Sequence, residues 1–163
     1  MYGQIKLIGL ATAFTLSTVG LAFAGTTINI TLMDMGGNKL DLSKNLDMGV
    51  GMKGDKSKAM LHVMLDKETV PAGSVTFKVT NGSKELTHEM LVVPIKDEQT
   101  PLAFSDVENR ADEEKEGSLG EVAELEPGKA GELTLDLKPG TYVLMCNIPG
   151  HFGGGMWSKL IVQ

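Results

Sequence analysis

The sequence predicts an all-β protein, a sandwich or barrel of short antiparallel strands in a single domain. Two observations carry that expectation. Apolar residues recur at every second position in a series of short runs, the period of a strand with one buried face. Turn residues (Asn81-Gly82, Pro127-Gly128, Pro139-Gly140) punctuate those runs at intervals typical of all-β folds. Neither an internal repeat nor a Gly/Ser linker divides the chain.

The strands follow in order. Residues 26–33 alternate Ile28, Ile30 and Leu32 with polar neighbours. Residues 59–66 put Leu61, Val63 and Leu65 on one face and Met60, His62 and Met64 on the other. Val75, Phe77 and Val79 alternate through 74–81, which ends at the Asn81-Gly82 turn. Further strands are expected at 86–95, 119–128, 130–140, 141–146 and 156–163. Two stretches break the rhythm. Residues 36–58 are rich in Gly and Lys, carry Met48 and Met52, and predict a long mobile loop. Residues 97–118 hold eight acidic residues against Arg110 and Lys115. Phe104, Val107 and Ala111 have helical spacing there, which predicts a short amphipathic helix on the sandwich, the charges forming a solvated face.

Residues 1–24 have the pattern of a cleaved signal peptide: Lys6, an uncharged apolar stretch, then Ala22 and Ala24 before the cut. Thr, Ser and Gly dilute the stretch and no basic flank follows it, which argues against an anchor. Export to the periplasm is the expectation. The remaining 25–163 would form one domain, with a Met-rich N-terminal extension over about 25–70 and an acidic insertion over about 97–118. No later segment is long and apolar enough to span a bilayer. The net charge is −6, and loss of Lys6 makes it slightly more acidic. That balance disfavours nucleic acid and permits a basic protein partner.

The chain has one cysteine, so no internal disulfide is available. Cys146 is then inert and buried, paired with another chain, or a metal ligand. Its surroundings, CNIPGHFGGGM at 146–156, add His151 and Met156, with Pro149 and the glycines turning the chain back on itself. A thiolate, imidazoles and a thioether are the donor set of a copper centre, a trigonal His, His, Cys plane with a weak axial Met. The fourth donor must come from elsewhere: His88 stands on an upstream strand, and His62 is the other candidate.

GTYVLMCNIPGHFGGGMWSKLIV at 140–162 resembles the last two strands and ligand loop of the cupredoxins, the small blue copper proteins. VTFKVTNGSKELTHEMLVV at 75–93 resembles the earlier strand pair that ends in their first histidine ligand. The C-x4-H-x4-M spacing is most similar to rusticyanin-like members. The resemblance covers roughly 72–163, apart from the acidic insertion. It implies a Greek-key cupredoxin-like sandwich with one short helical insertion. It also implies a single type 1 copper ion held by His88, Cys146, His151 and Met156. Many cupredoxins place Asn after the first histidine; Glu89 stands there in this chain, which leaves potential and colour open.

The function that follows is a monomeric one-electron carrier, not an enzyme, because His62 alone is left to build any further copper centre. His151 would reach the surface and pass the electron, Phe152 and the glycines would form a docking patch, and the acidic segment would steer a basic redox protein such as a cytochrome. The alternative is a periplasmic copper-tolerance protein using the same site and the methionines upstream. Met60, His62, Met64, Met48 and Met52 could hold Cu(I), or that strand face could pack under the 36–58 loop as ordinary core. Met90 and Met145 are expected in the core.

Overall fold

The computed structural model describes residues 25–35 and 41–163; the expected signal peptide lies outside the described residues. All eight expected strands are present, with ends within three residues of those read from the sequence. Two sheets face each other. The first contains β1 (Thr26–Asp34), β2 (Leu61–Leu65), β4 (Gly73–Asn81) and β9 (Ala130–Leu137), in the order β2-β1-β4-β9. The second contains β3 (Thr69–Val70), β5 (His88–Ile95), β8 (Glu121–Leu125), β10 (Gly140–Met145) and β11 (Trp157–Val162), in the order β3-β11-β10-β5-β8. Pairing is not wholly antiparallel: β1 runs parallel to β4, and β3 parallel to β11.

Alternation in β1 and β4 sends Ile28, Ile30, Leu32, Val75, Phe77 and Val79 into the space between the sheets, where Val92, Leu144, Leu160 and Val162 meet them. The second sheet is covered on its outer face as well. Leu91, Val93, Val143 and Met145 point away from that core and pack against Val50, Leu102, Ala111 and Phe152. This explains why "MLVV" in β5 is continuously apolar, since a strand buried on both faces has no polar side to present. Met90 and Met145 are both fully buried, as expected.

The expected helix at Phe104, Val107 and Ala111 does not form. A small hairpin of β6 (Phe104–Ser105) and β7 (Arg110–Ala111) occupies that stretch, with Val107 at its tip and 97 % exposed. Ala111 is buried and Phe104 half-buried against Phe152, so alternation across a hairpin produced the helix-like spacing. The one α-helical turn among the described residues follows it, α1 (Glu113–Glu116), capped by Asp112 at the front and by left-handed Gly117 behind, with no buried residue. The long loop between β1 and β2 contains a 3-10 turn at Lys56–Lys58. Rather than projecting as a mobile loop, its residues 41–58 lie on the 150–155 loop, as detailed below.

Candidate metal centre

His88 opens β5, and its position is prepared by the turn before it. The Asn81 side chain accepts from the Ser83 amide at 2.9 Å and donates to the carbonyls of Leu86 and Leu125, at 2.8 and 2.7 Å. Ser83 Oγ accepts from the amides of Glu85 and Leu86. The β5–β8 register then shifts between His88 and Met90, a bulge that re-aims a side chain where the ladder is broken.

Cys146 ends β10. Its amide donates to the Met156 carbonyl at 3.1 Å, and the Met156 amide donates to the His151 carbonyl at 3.0 Å, so the loop closes on itself. Cys146 Sγ lies 3.2 Å from His151 Nδ1 and 3.9 Å from His88 Nδ1, and the two Nδ1 atoms are 3.2 Å apart. Those sides leave a point equidistant from the three atoms about 2 Å from each, close to the length of a metal–imidazole bond and a little short of the roughly 2.3 Å of a metal–thiolate bond. Met156 is fully buried in the same core cluster as Cys146. His62 is elsewhere, on the outward face of β2 opposite Met33.

The electrostatics suit a cation that is held rather than a free acid or base. Burial lowers the His88 and His151 pKa values to about 4, with His88 further lowering His151 and Asp34 partly opposing both. Both rings are therefore neutral at neutral pH, with lone pairs to offer. Burial pushes the Cys146 thiol up to about 12, although amides of Glu89 and Ile148 pull the other way. In that setting a bound cation supplies what a thiolate needs.

Three supporting residues surround the donors. Asp34 ends β1 with its carboxylate turned inward, Oδ2 3.9 Å from His88 Nε2; neither atom has a hydrogen-bond partner among the described residues. A carboxylate there favours the tautomer with hydrogen on Nε2 and leaves Nδ1 bare toward the centre. Asp34 was legible as the one charged residue on the inward register Thr26, Ile28, Ile30, Leu32, Asp34. Asn147, fully buried, donates to the Ala111 carbonyl and to Glu113 Oε1 at 3.0 and 2.8 Å and accepts from the Ala111 amide at 2.8 Å. The acidic insertion is thus clamped to the ligand loop as well as solvated. Glu89 accepts from the Asn147 amide at 3.1 Å, and its own amide points at Cys146 Sγ at 3.5 Å.

The expected surface exposure of His151 and Phe152 is overturned. His151 is 4 % exposed, and Phe152, His88, Cys146 and Met156 are fully buried. Residues 41–58 cover them. The Leu42 carbonyl accepts from Asn109 Nδ2 at 2.9 Å and lies against Gly150, whose amide donates to the Asn109 carbonyl at 2.7 Å. The Met48 amide donates to the Gly153 carbonyl, and Trp157 Nε1 to the Met48 carbonyl. A Cβ on Gly155 would come within 2.7 Å of Ala59 Cβ. The loop glycines therefore serve close coverage as well as chain reversal.

Glu89 sets a pH prediction for the copper-free protein. Burial first, then the charges of Glu121 and Glu113, raise its pKa from 4.5 to about 7. The folded state holds this proton more tightly, so the associated stability is complete below pH 4.5 and is lost as pH rises through 7. The histidines act oppositely: their contribution is present above 6.5 and is lost as pH falls through about 4. Glu89→Gln keeps an acceptor for the Asn147 amide and removes the charge. Urea melts should find it more stable than wild type at pH 8 and close to it at pH 5; parallel pH profiles would contradict this origin.

The sandwich has a cupredoxin-like fold, and buried His88, Cys146 and His151, with Met156 in the core cluster of Cys146, offer a donor set that suits one copper ion. The sulfocyanin (SoxE) domain matches residues 120–163, the part that contains the ligand loop. Among solved structures, rusticyanin from Thiobacillus ferrooxidans at 1.27 Å is similar at 18 % identity and a TM-score of 0.51, over 86 % of this chain and 80 % of that one. Reduced rusticyanin at 1.9 Å gives 19 % identity and a TM-score of 0.52, over 86 % and 82 % of the two chains. Auracyanin from Roseiflexus castenholzii is 22 % identical over 86 % and 99 %, with a TM-score of 0.49. No curated protein sequence matches the chain.

Proposed function

We propose that His88, Cys146, His151 and Met156 hold the copper and that the protein is a periplasmic one-electron carrier, acting as a monomer and not as an enzyme. Its leader would be residues 1–24 and its single domain 25–163. When bound, copper supplies a one-electron couple. The observation that carries the proposal is enclosure: three of these four residues are fully buried and His151 is 4 % exposed, beneath a hydrogen-bonded cover. Such a site excludes water and substrate, and its donors are held against rearrangement when charge changes by one.

Electrons then leave through the groups that touch the ligand loop. Asn109, in the β6–β7 hairpin, bonds both Gly150 and Leu42, and the hairpin tip presents exposed Val107 between Asp106 and Glu108. An apolar tip flanked by carboxylates suits a basic redox protein such as a cytochrome. Stopped-flow reduction of a basic cytochrome c tests this. The bimolecular rate should fall steeply with ionic strength, and Asp106→Lys with Glu108→Lys should slow it about tenfold or more at low salt without altering the visible spectrum. A rate indifferent to both would exclude this docking face.

Copper tolerance, through the same site plus the Met-rich N-terminal region, is a second reading. It is favoured by the outward row of thioethers around His62. A deletion strain that tolerates copper normally would remove its support.

A further inference from the structure

We infer that the outer face of the β1–β2 ribbon is a second copper site, which takes one Cu(I) ion on His62 and the thioethers of Met33, Met60 and Met64, with Met35 at its rim. It stands on strand register and needs nothing from the type 1 centre.

Met33 is the direct cross-strand partner of His62, and Thr31 that of Met64. The Met35 amide donates to the Met60 carbonyl at 2.7 Å, so that pair continues the same ladder. Facing residues on a strand pair have Cβ atoms roughly 5 Å apart, and next-but-one neighbours along a strand lie roughly 7 Å apart. Met60, His62 and Met64 share a face, and the unbranched methionine side chain has three rotatable bonds with which to bring its sulfur to a ring nitrogen.

The alternative, ordinary core under the β1–β2 loop, is contradicted by exposure. Leu61 and Val63 are buried, His62 is half-buried, and Met64 and Met35 are 55 % and 72 % exposed. Residues 41–58 of that loop pack instead on the ligand loop.

The rest of this sheet face shows what an ordinary solvated surface looks like here. Across β4 and β9 it carries the Lys78–Glu132 ion pair and the Thr76–Thr134 hydrogen bond. Along β1 it begins with Thr27, Asn29 and Thr31 and changes to Met33 and Met35 only where β2 brings His62 alongside. Outward strand positions ordinarily carry β-branched or charged side chains. Thioethers around one imidazole are soft, uncharged donors suited to Cu(I) and poor for harder cations.

The test uses the protein with its type 1 site already filled. Under anaerobic reducing conditions Cu(I) is titrated against a colorimetric Cu(I) chelator. Wild type should retain two equivalents. Met33→Leu/His62→Asn/Met64→Leu should retain one and, on reoxidation, show an unchanged type 1 spectrum, which also reports that it folds. His62→Asn alone should weaken the second equivalent at least tenfold. Uptake of only one equivalent by wild type, or two by the triple variant, overturns the inference. Ag(I) added to protein labelled at the methionine methyls gives an independent readout: the Met33, Met60 and Met64 resonances should move while Met90 and Met145 stay. Movement confined to Met48 and Met52 would overturn it too.

Discussion

Cys146→Ser will abolish the intense thiolate-to-copper absorption of the loaded protein and leave the sandwich standing. Cys146 is fully buried, and its Sγ is the one thiolate donor available, 3.2 Å from His151 Nδ1. A serine hydroxyl fits the space, but it is a hard donor that stays protonated, so copper(II) loses its soft, charged ligand. Loss of a supporting hydrogen bond to a ligand typically weakens metal binding about 10–100-fold, and loss of this ligand should exceed that range. Burying the hydroxyl costs about 1–3 kcal/mol if it stays unpaired, a tolerable loss for a folded domain. Visible and EPR spectra of the copper-loaded variant, with circular dichroism of both metal-free forms, make the measurement. A retained thiolate band would remove the type 1 assignment.

Gly150→Ala will be the most damaging single methyl in the ligand loop. Gly150 has φ of +86°, a region that strains any L side chain by about 1–3 kcal/mol. A Cβ there would also fall well inside contact distance of the Leu42 carbonyl oxygen, a backbone atom that cannot swing aside. Overpacking of that kind adds about 1–3 kcal/mol. Relief requires residues 41–58 to lift off the loop, which uncovers His151. Gly128→Ala is the control, since Gly128 has φ of +74° with open space around it and bears only the backbone strain. Urea melts should show Gly150→Ala clearly less stable than Gly128→Ala, and it alone should release copper faster to EDTA. Equal stability and equal release would mean that the cover does not rest on this contact.

Much of the fold was legible because strand alternation is a local property. Ile28, Ile30 and Leu32, like Val75, Phe77 and Val79, occupy the inner faces that their spacing predicts. The hairpin at 104–111 was not legible, because Phe104 and Ala111 face each other across a turn, which imitates one helical face. Three of the four candidate donors lie within one eleven-residue loop, so chain reversal alone is enough to bring them near one another. The choice of His88 over His62 rested instead on the resemblance of residues 75–93. Both alternate on strands, and only packing of the sheets shows that His88 faces Cys146 while His62 faces outward.

The sequence by itself determined the eight longer strands, the sandwich class, and the candidate donor types and their order. These depend on periods and spacings short enough to read along the chain. Tertiary structure alone decided what surrounds the donors. Asp34 reaches His88, Asn147 ties the ligand loop to Ala111 and Glu113, and Leu42 and Met48 seal Gly150 and Gly153 from solvent. Each of these contacts joins residues far apart in sequence, and no periodicity encodes them. Exposure follows the same rule. His151 sits in a loop of glycines that reads as open surface, and it is closed because a segment about a hundred residues earlier happens to fold across it.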